Sequence, residues 1–124
     1  MRRRAAQACA LAVALVGLLT LQEYSCGWNL GIDQLLCAEQ PGAVATSHLG
    51  RMAPNTALNF LLIGVCLLLL DTTGSAWRSV HQYLILLPIT ITLLALCGYA
   101  YGSVGLYGFG AYTKMALHTA CAFL

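Results

Sequence analysis

Three long apolar stretches, each closed off by charge, glycine or aromatic residues, divide the chain: Ala5 to Tyr24, Pro54 to Leu70 and Val80 to Tyr101. Each approaches the ~20 residues a helix needs to cross about 30 Å of hydrocarbon. The pattern therefore predicts membrane spans over 5–24, 54–70 and 80–101, an outer loop over 27–51, an inner loop over 71–79 and a second outer loop over 102–113. A fourth apolar segment opens at 114 and runs to Leu124. At about 1.5 Å per residue, the stretch from Met115 to Leu124 covers roughly 15 Å, half of the hydrocarbon thickness. The expectation is the start of a fourth span that is incomplete in this chain.

Inside the first outer loop, Trp28, Ile32, Leu35 and Leu36 recur at helical spacing with Asn29, Asp33 and Gln34 between them. That spacing predicts a short helix lying on the bilayer surface, ended by Gln40-Pro41-Gly42. Pro54 sits where a first helical turn tolerates a missing N–H. Gly74 marks the turn of the inner loop, and Asp71 reads as a water-exposed stop. Pro88 interrupts the third span, where Thr90 or Thr92 is expected to replace part of the lost hydrogen bonding. An ordinary membrane-helix kink is preferred there over a signalling hinge.

The chain is internally duplicated. Met52-Ala53-Pro54-Asn55-Thr56-Ala57-Leu58-Asn59-Phe60-Leu61 returns as Met115-Ala116-Leu117-His118-Thr119-Ala120-Cys121-Ala122-Phe123-Leu124, and Cys26-Gly27-Trp28 returns as Cys97-Gly98-Tyr99. The unit is a helical hairpin of span, loop and span, present twice in parallel about an axis along the membrane normal. The predicted fold is therefore an all-α membrane protein, a four-helix transmembrane bundle built from two tandem helical hairpins, with the fourth helix truncated.

Composition agrees with a membrane setting. Hydrophobic residues make up 60% of the 124 residues and charged ones 8%, against about a quarter charged in soluble domains. Arg2-Arg3-Arg4 ahead of an apolar run resembles the head of a signal peptide, yet Thr20-Leu21-Gln22-Glu23-Tyr24 offers no small-residue cleavage site, so an uncleaved anchor is preferred. An N-inside arrangement places Arg2, Arg3, Arg4 and Arg78 in the cytoplasm and Arg51 and Lys114 outside, as the positive-inside rule asks. The implied location is the bacterial inner membrane, multi-pass, with lipid as the immediate partner. The net charge of +2 owes half of its cations to the N-terminal cluster, which gives no reason to expect nucleic acid. Cys9, Cys66, Cys97 and Cys121 fall in apolar runs and read as packing residues. Cys26 and Cys37 share the outer loop, where a disulfide is possible in an oxidising compartment and spacing alone decides nothing.

No catalytic set emerges. Glu23, Asp33, Glu39 and Asp71 read as unpaired residues at span ends or in loops, and no nucleotide-binding glycine loop is present. No cofactor is expected. The notable cluster lies at the outer ends of the even-numbered spans: Arg51, Asn55 and Asn59 on the second, Lys114 and His118 at the equivalent depth on the fourth. Asn55 and Asn59 stand one helical turn apart and share a face. These five are candidate ligand-binding residues for a small molecule, and Met115 with His118 is a candidate pair for a soft metal. The competing reading, which is preferred, is interhelical hydrogen bonding.

The segments Gly31-Ile32-Asp33-Gln34-Leu35-Leu36 and Gly50-Arg51-Met52-Ala53-Pro54-Asn55-Thr56-Ala57-Leu58-Asn59-Phe60-Leu61-Leu62, with the leucine run to Asp71 and the closing Met115-Ala116-Leu117-His118-Thr119-Ala120, resemble the N-terminal transmembrane sensory region of bacterial sensor histidine kinases. Similar regions also precede PAS and diguanylate cyclase modules. The resemblance implies a membrane sensory or anchoring module whose PAS and kinase domains are absent from this chain. It also implies a homodimer formed through the missing downstream region and a cognate response regulator met by the absent domains. His48, His81 and His118 all fall at positions unsuited to a phospho-acceptor. The resemblance leaves open the input region of a diguanylate cyclase, and the paired repeats with a helix-breaking proline leave open a small transporter or channel-like membrane protein. No charged residue at mid-membrane marks an ion path for the latter.

Overall fold

The computed structural model describes residues 2–29, 31, 50–70, 75–108 and 114–124. The described elements are all helices: α1 (Arg2–Cys26), α2 (Pro54–Leu69), α3 (Ser75–Tyr101), α4 (Val104–Tyr107) and α5 (Leu117–Ala122). Two of them are long and apolar enough to cross a membrane, Arg3–Cys26 and Trp77–Tyr101, with mean hydropathies of 1.8 and 2.0. At 16 residues, α2 is an apolar helix of about 24 Å.

The helix starts differ from the sequence pattern in instructive ways. α1 reaches back to Arg2 because Arg, Ala and Gln are good helix formers and nothing breaks the run. α3 begins at Ser75 rather than Val80, since polar Arg78 and Ser79 end the apolar pattern without being helix breakers. α2 opens with Pro54 at its first turn, as expected. α5 begins at Leu117, three residues inside the predicted start, because Met115 donates its N–H to Tyr107 O and Ala116 is extended. The connection after α3, expected as a second outer loop, holds α4. The expected interfacial helix of the first outer loop, Cys37 and the turn at 71–74 lie outside the described residues.

α1 and α2 pack antiparallel with their backbones nearly touching. A Cβ added at Gly17 would lie 2.5 Å from Ala57 O and 2.7 Å from Leu61 N, and one added at Gly64 would lie 2.6 Å from Ala14 N. Buried Ala10, Ala14 and Ala57 continue this small-residue seam, the usual device by which membrane helices approach closely. Where the second hairpin meets the first, Phe60 and its repeat equivalent Phe123 stand edge to face, 5.3 Å between centroids at 68°. Beside them Ala53, Ala95, Met115 and Ala120 form a buried cluster.

The two Cys-Gly-aromatic markers occupy different places. Gly27 follows the last residue of α1 at φ 67°, the left-handed position that closes a helix. Its structural counterpart is Gly102, at φ 68°, and not Gly98. There Gly102 N–H bonds Tyr99 O at 3.4 Å and Ser103 N–H bonds Gly98 O at 2.8 Å, a Schellman ending. Gly98 lies inside α3, where a Cβ would meet Leu106 Cβ at 2.7 Å and Tyr107 Cδ1 at 2.9 Å. It is glycine because α4 crosses directly over it.

Candidate functional site: a buried polar layer where α1 ends and α2 begins

The polar residues at the end of α1 and the start of α2 are enclosed. Glu23 is fully buried and the Arg51 side chain is 3% exposed, with Nε 3.5 Å from Oε2. Arg51 Nη2 donates to Trp28 O at 3.3 Å. Its guanidinium lies over the Tyr24 ring, 5.3 Å from the centroid, a cation–π geometry. Tyr24 in turn donates its hydroxyl to Met52 O at 3.0 Å. Glu23, Tyr24 and Trp28 from one side and Arg51 and Met52 from the other thus close one end of the first hairpin. The pair also places a carboxylate near the N-terminus of α2, whose N-cap, Ala53, supplies no side-chain cap. The positive end of the helix dipole favours that charge.

Glu23 is therefore not the unpaired span-end acid that the sequence suggested. Two charges this far from water are tolerated only as partners. The legible signal was depth: Glu23 stands just before the first helix ends and Arg51 just before the second begins, so a hairpin brings them level.

One turn further in, the layer continues with Thr20, Asn55 and Thr56, all buried. The antiparallel register that pairs Glu23 with Arg51 and Gly17 with Ala57 puts Thr20 level with Asn55 and Thr56. Below them Asn59, fully buried, donates from Nδ2 to Thr92 Oγ1 at 3.2 Å. Thr92 donates to Pro88 O at 2.7 Å. Asn59 thus joins α2 to α3 by a side-chain hydrogen bond. The Oδ1 atoms of Asn55 and Asn59 are buried and accept no hydrogen bond, leaving two amide acceptors one turn apart.

Pro88 cannot donate to Leu84 O, and neither threonine replaces that bond. Thr90 donates to Leu86 O at 2.8 Å, and Thr92 is committed to Pro88 O. Each hydroxyl reaches back one turn along its own helix, which leaves it no proton for the freed carbonyl.

The candidates on the second repeat are placed otherwise. Lys114 is half-buried against Gly108, where a Cβ would lie 2.9 Å from its Cγ. His118 is exposed, although its repeat equivalent Asn55 is buried. Met115 is fully buried, so the Met115–His118 pair divides between the core and the surface. Among the described residues no three His, Cys, Asp or Glu side chains group to hold a metal ion.

The second hairpin nonetheless repeats one contact of the first. Tyr99 donates its hydroxyl to Met115 O, the carbonyl equivalent to Met52 O. Tyr99 also stacks on Tyr107, 4.2 Å between centroids at 13°. At the opposite ends of α2 and α3, His81 Nε2 lies 2.8 Å from Leu69 O. A carbonyl needs a donor, so this imidazole carries its proton on Nε2 and caps the C-terminus of α2.

Set against protein-family models, curated proteins and solved structures, the chain shows no significant match.

Proposed function

We propose that this chain is a membrane-embedded sensory or anchoring module of a bacterial signal-transduction protein, of the kind that precedes the PAS and kinase domains of a sensor histidine kinase. In this reading α1, α2 and α3 cross the inner membrane with the N-terminus in the cytoplasm, and α5 takes the fourth place in a bundle of two hairpins. The cognate response regulator and the homodimer contact belong to domains outside this chain.

The observation that carries the reading is the paired anchoring of Met52 O by Tyr24 and Met115 O by Tyr99. Both hairpins are fastened at the same end, and that end also holds the buried Glu23–Arg51 pair. A module so tied at one face is suited to pass a change at that face along its helices. Arg51, Asn55 and Asn59 belong to the tie, whereas Lys114 and His118 flank it from the second repeat.

Topology is the test. In a cysteine-free background, a thiol placed at Ser47 is expected to react with an impermeant maleimide from outside, and one at Ser75 only after permeabilisation. The reverse pattern, or equal access without a membrane barrier, rejects the arrangement.

A further inference from the structure

Two acceptors in the buried polar layer call for a donor. Asn55 and Asn59 are 5% and 0% exposed, and the Oδ1 atom of each accepts no hydrogen bond among the described residues. Neighbouring groups set the orientation of the Asn59 amide. Thr92 gives its single hydroxyl proton to Pro88 O at 2.7 Å, so towards Asn59, 3.2 Å away, it can only accept. Nδ2 must therefore face Thr92, and Oδ1 is left to find its donor elsewhere. A buried amide oxygen without one is costly.

Side chains one turn apart on a helix stand about 5–6 Å from each other at Cβ, and a donor atom at about 2.8 Å from each of two oxygens spans up to roughly 5.6 Å. One small molecule with two O–H groups thus reaches both amides. Charge narrows the choice further. Asn55 lies in the first turn of α2, where the positive end of the helix dipole disfavours a cation, and the Glu23 carboxylate at that end is already matched by Arg51. Two amide oxygens repel an anion. The fitting occupant is neutral.

We propose that Asn55 and Asn59 hold a buried water molecule that donates one proton to each Oδ1. Buried waters typically make about three hydrogen bonds, and Thr20 and Thr56, buried in the same layer, offer hydroxyls as the third partner. The inference goes beyond the signalling reading and does not depend on it. It makes the polar layer a hydrated joint, in which solvent serves the two amides that the packed helices leave unserved.

The experiment uses the full chain folded in detergent micelles, with its asparagines isotopically labelled for NMR. Cross-relaxation from water to the side-chain protons of Asn55 and Asn59 is expected, with the sign of a water that stays longer than the protein takes to tumble. Its absence in the unaltered protein overturns the proposal, so misfolding of a variant does not shield it. Asn55→Leu is expected to reduce the water signal at Asn59 at least twofold. Asn55→Leu and Asn59→Leu should each raise the unfolding equilibrium constant, and the double variant should fall short of the product of the two effects by about fivefold, because the second change removes a water already lost to the first. Coupling without a water signal assigns the donor to Thr20 or Thr56 and overturns the proposal. An unfolding midpoint raised by sodium or potassium chloride, but not by choline chloride at equal concentration, assigns the site to a metal cation and likewise overturns it.

Discussion

The two hairpins secure the same point by different chemistry. In the first, a long seam of alanine and glycine brings α1 and α2 together, and a buried ion pair closes its end. In the second, α3 meets the lead into α5 through stacked tyrosines over Gly98. Both bring a tyrosine hydroxyl to a methionine carbonyl just ahead of an extended alanine, Ala53 or Ala116, from which a helix starts. Yet the tyrosines are not equivalent in the repeat: the counterpart of Tyr24 is Ala95, and the counterpart of Tyr99 is Trp28. The duplication preserves the anchored turn and leaves each hairpin to find its own anchor.

The ion pair gives the largest expected difference between them. Arg51→Met leaves a buried carboxylate without its cation and is expected to cost about 3–5 kcal/mol, read as loss of helicity on denaturation in detergent micelles. Glu23→Met combined with Arg51→Met should recover most of that loss; a double variant no better than the single one refutes the pairing. The counterpart change Lys114→Met, at a half-buried position, is expected to shift stability far less.

Next comes the seam. Gly64→Val places methyl groups where the Ala14 backbone already stands, and an overpacked contact of this kind costs about 1–3 kcal/mol. Gly105→Val, where nothing lies within 4 Å of an added Cβ, is the control from the second hairpin. Equal effects of the two would remove the distinction between a close-packed hairpin and an open one. The smallest change is the most direct comparison: Tyr24→Phe and Tyr99→Phe each delete one hydroxyl bond to a methionine carbonyl and should each cost about 1 kcal/mol. Unfolding midpoints that leave one of them neutral would show that the shared anchor works in one hairpin alone.

The helical class was legible, as were the two helices long and apolar enough to cross a membrane, α1 and α3, because apolar runs of that length write themselves into the sequence; the run from Pro54 forms a shorter apolar helix. Pro54 fixed where α2 starts, and the Asn55–Asn59 spacing pointed to a face that does turn inward. What the sequence withheld was which distant residues meet. Glu23 read as a boundary residue because acidity near a span end is ordinary, and its burial depends on an arginine 28 positions away. Thr92 read as a partner for the bond that Pro88 breaks, but it is Asn59, from another helix, that binds it. His118 inherited a role from Asn55 by position in the repeat, and side-chain exposure does not follow repeat position where the neighbouring helix differs.

Pro88 leaves one backbone hydrogen bond unmade inside α3, which nonetheless runs from Ser75 to Tyr101 as one helix. The half after the proline is held to its neighbours by Asn59 at Thr92 and by Tyr99 at Met115 O, and the half before it meets α2 at His81 and Leu69 O. From Ser75 to Pro88 the helix is about 20 Å long. The side-chain ties on both sides of the proline therefore carry what the missing backbone bond does not: they hold the two halves of α3 against their neighbours and fix the line of the helix.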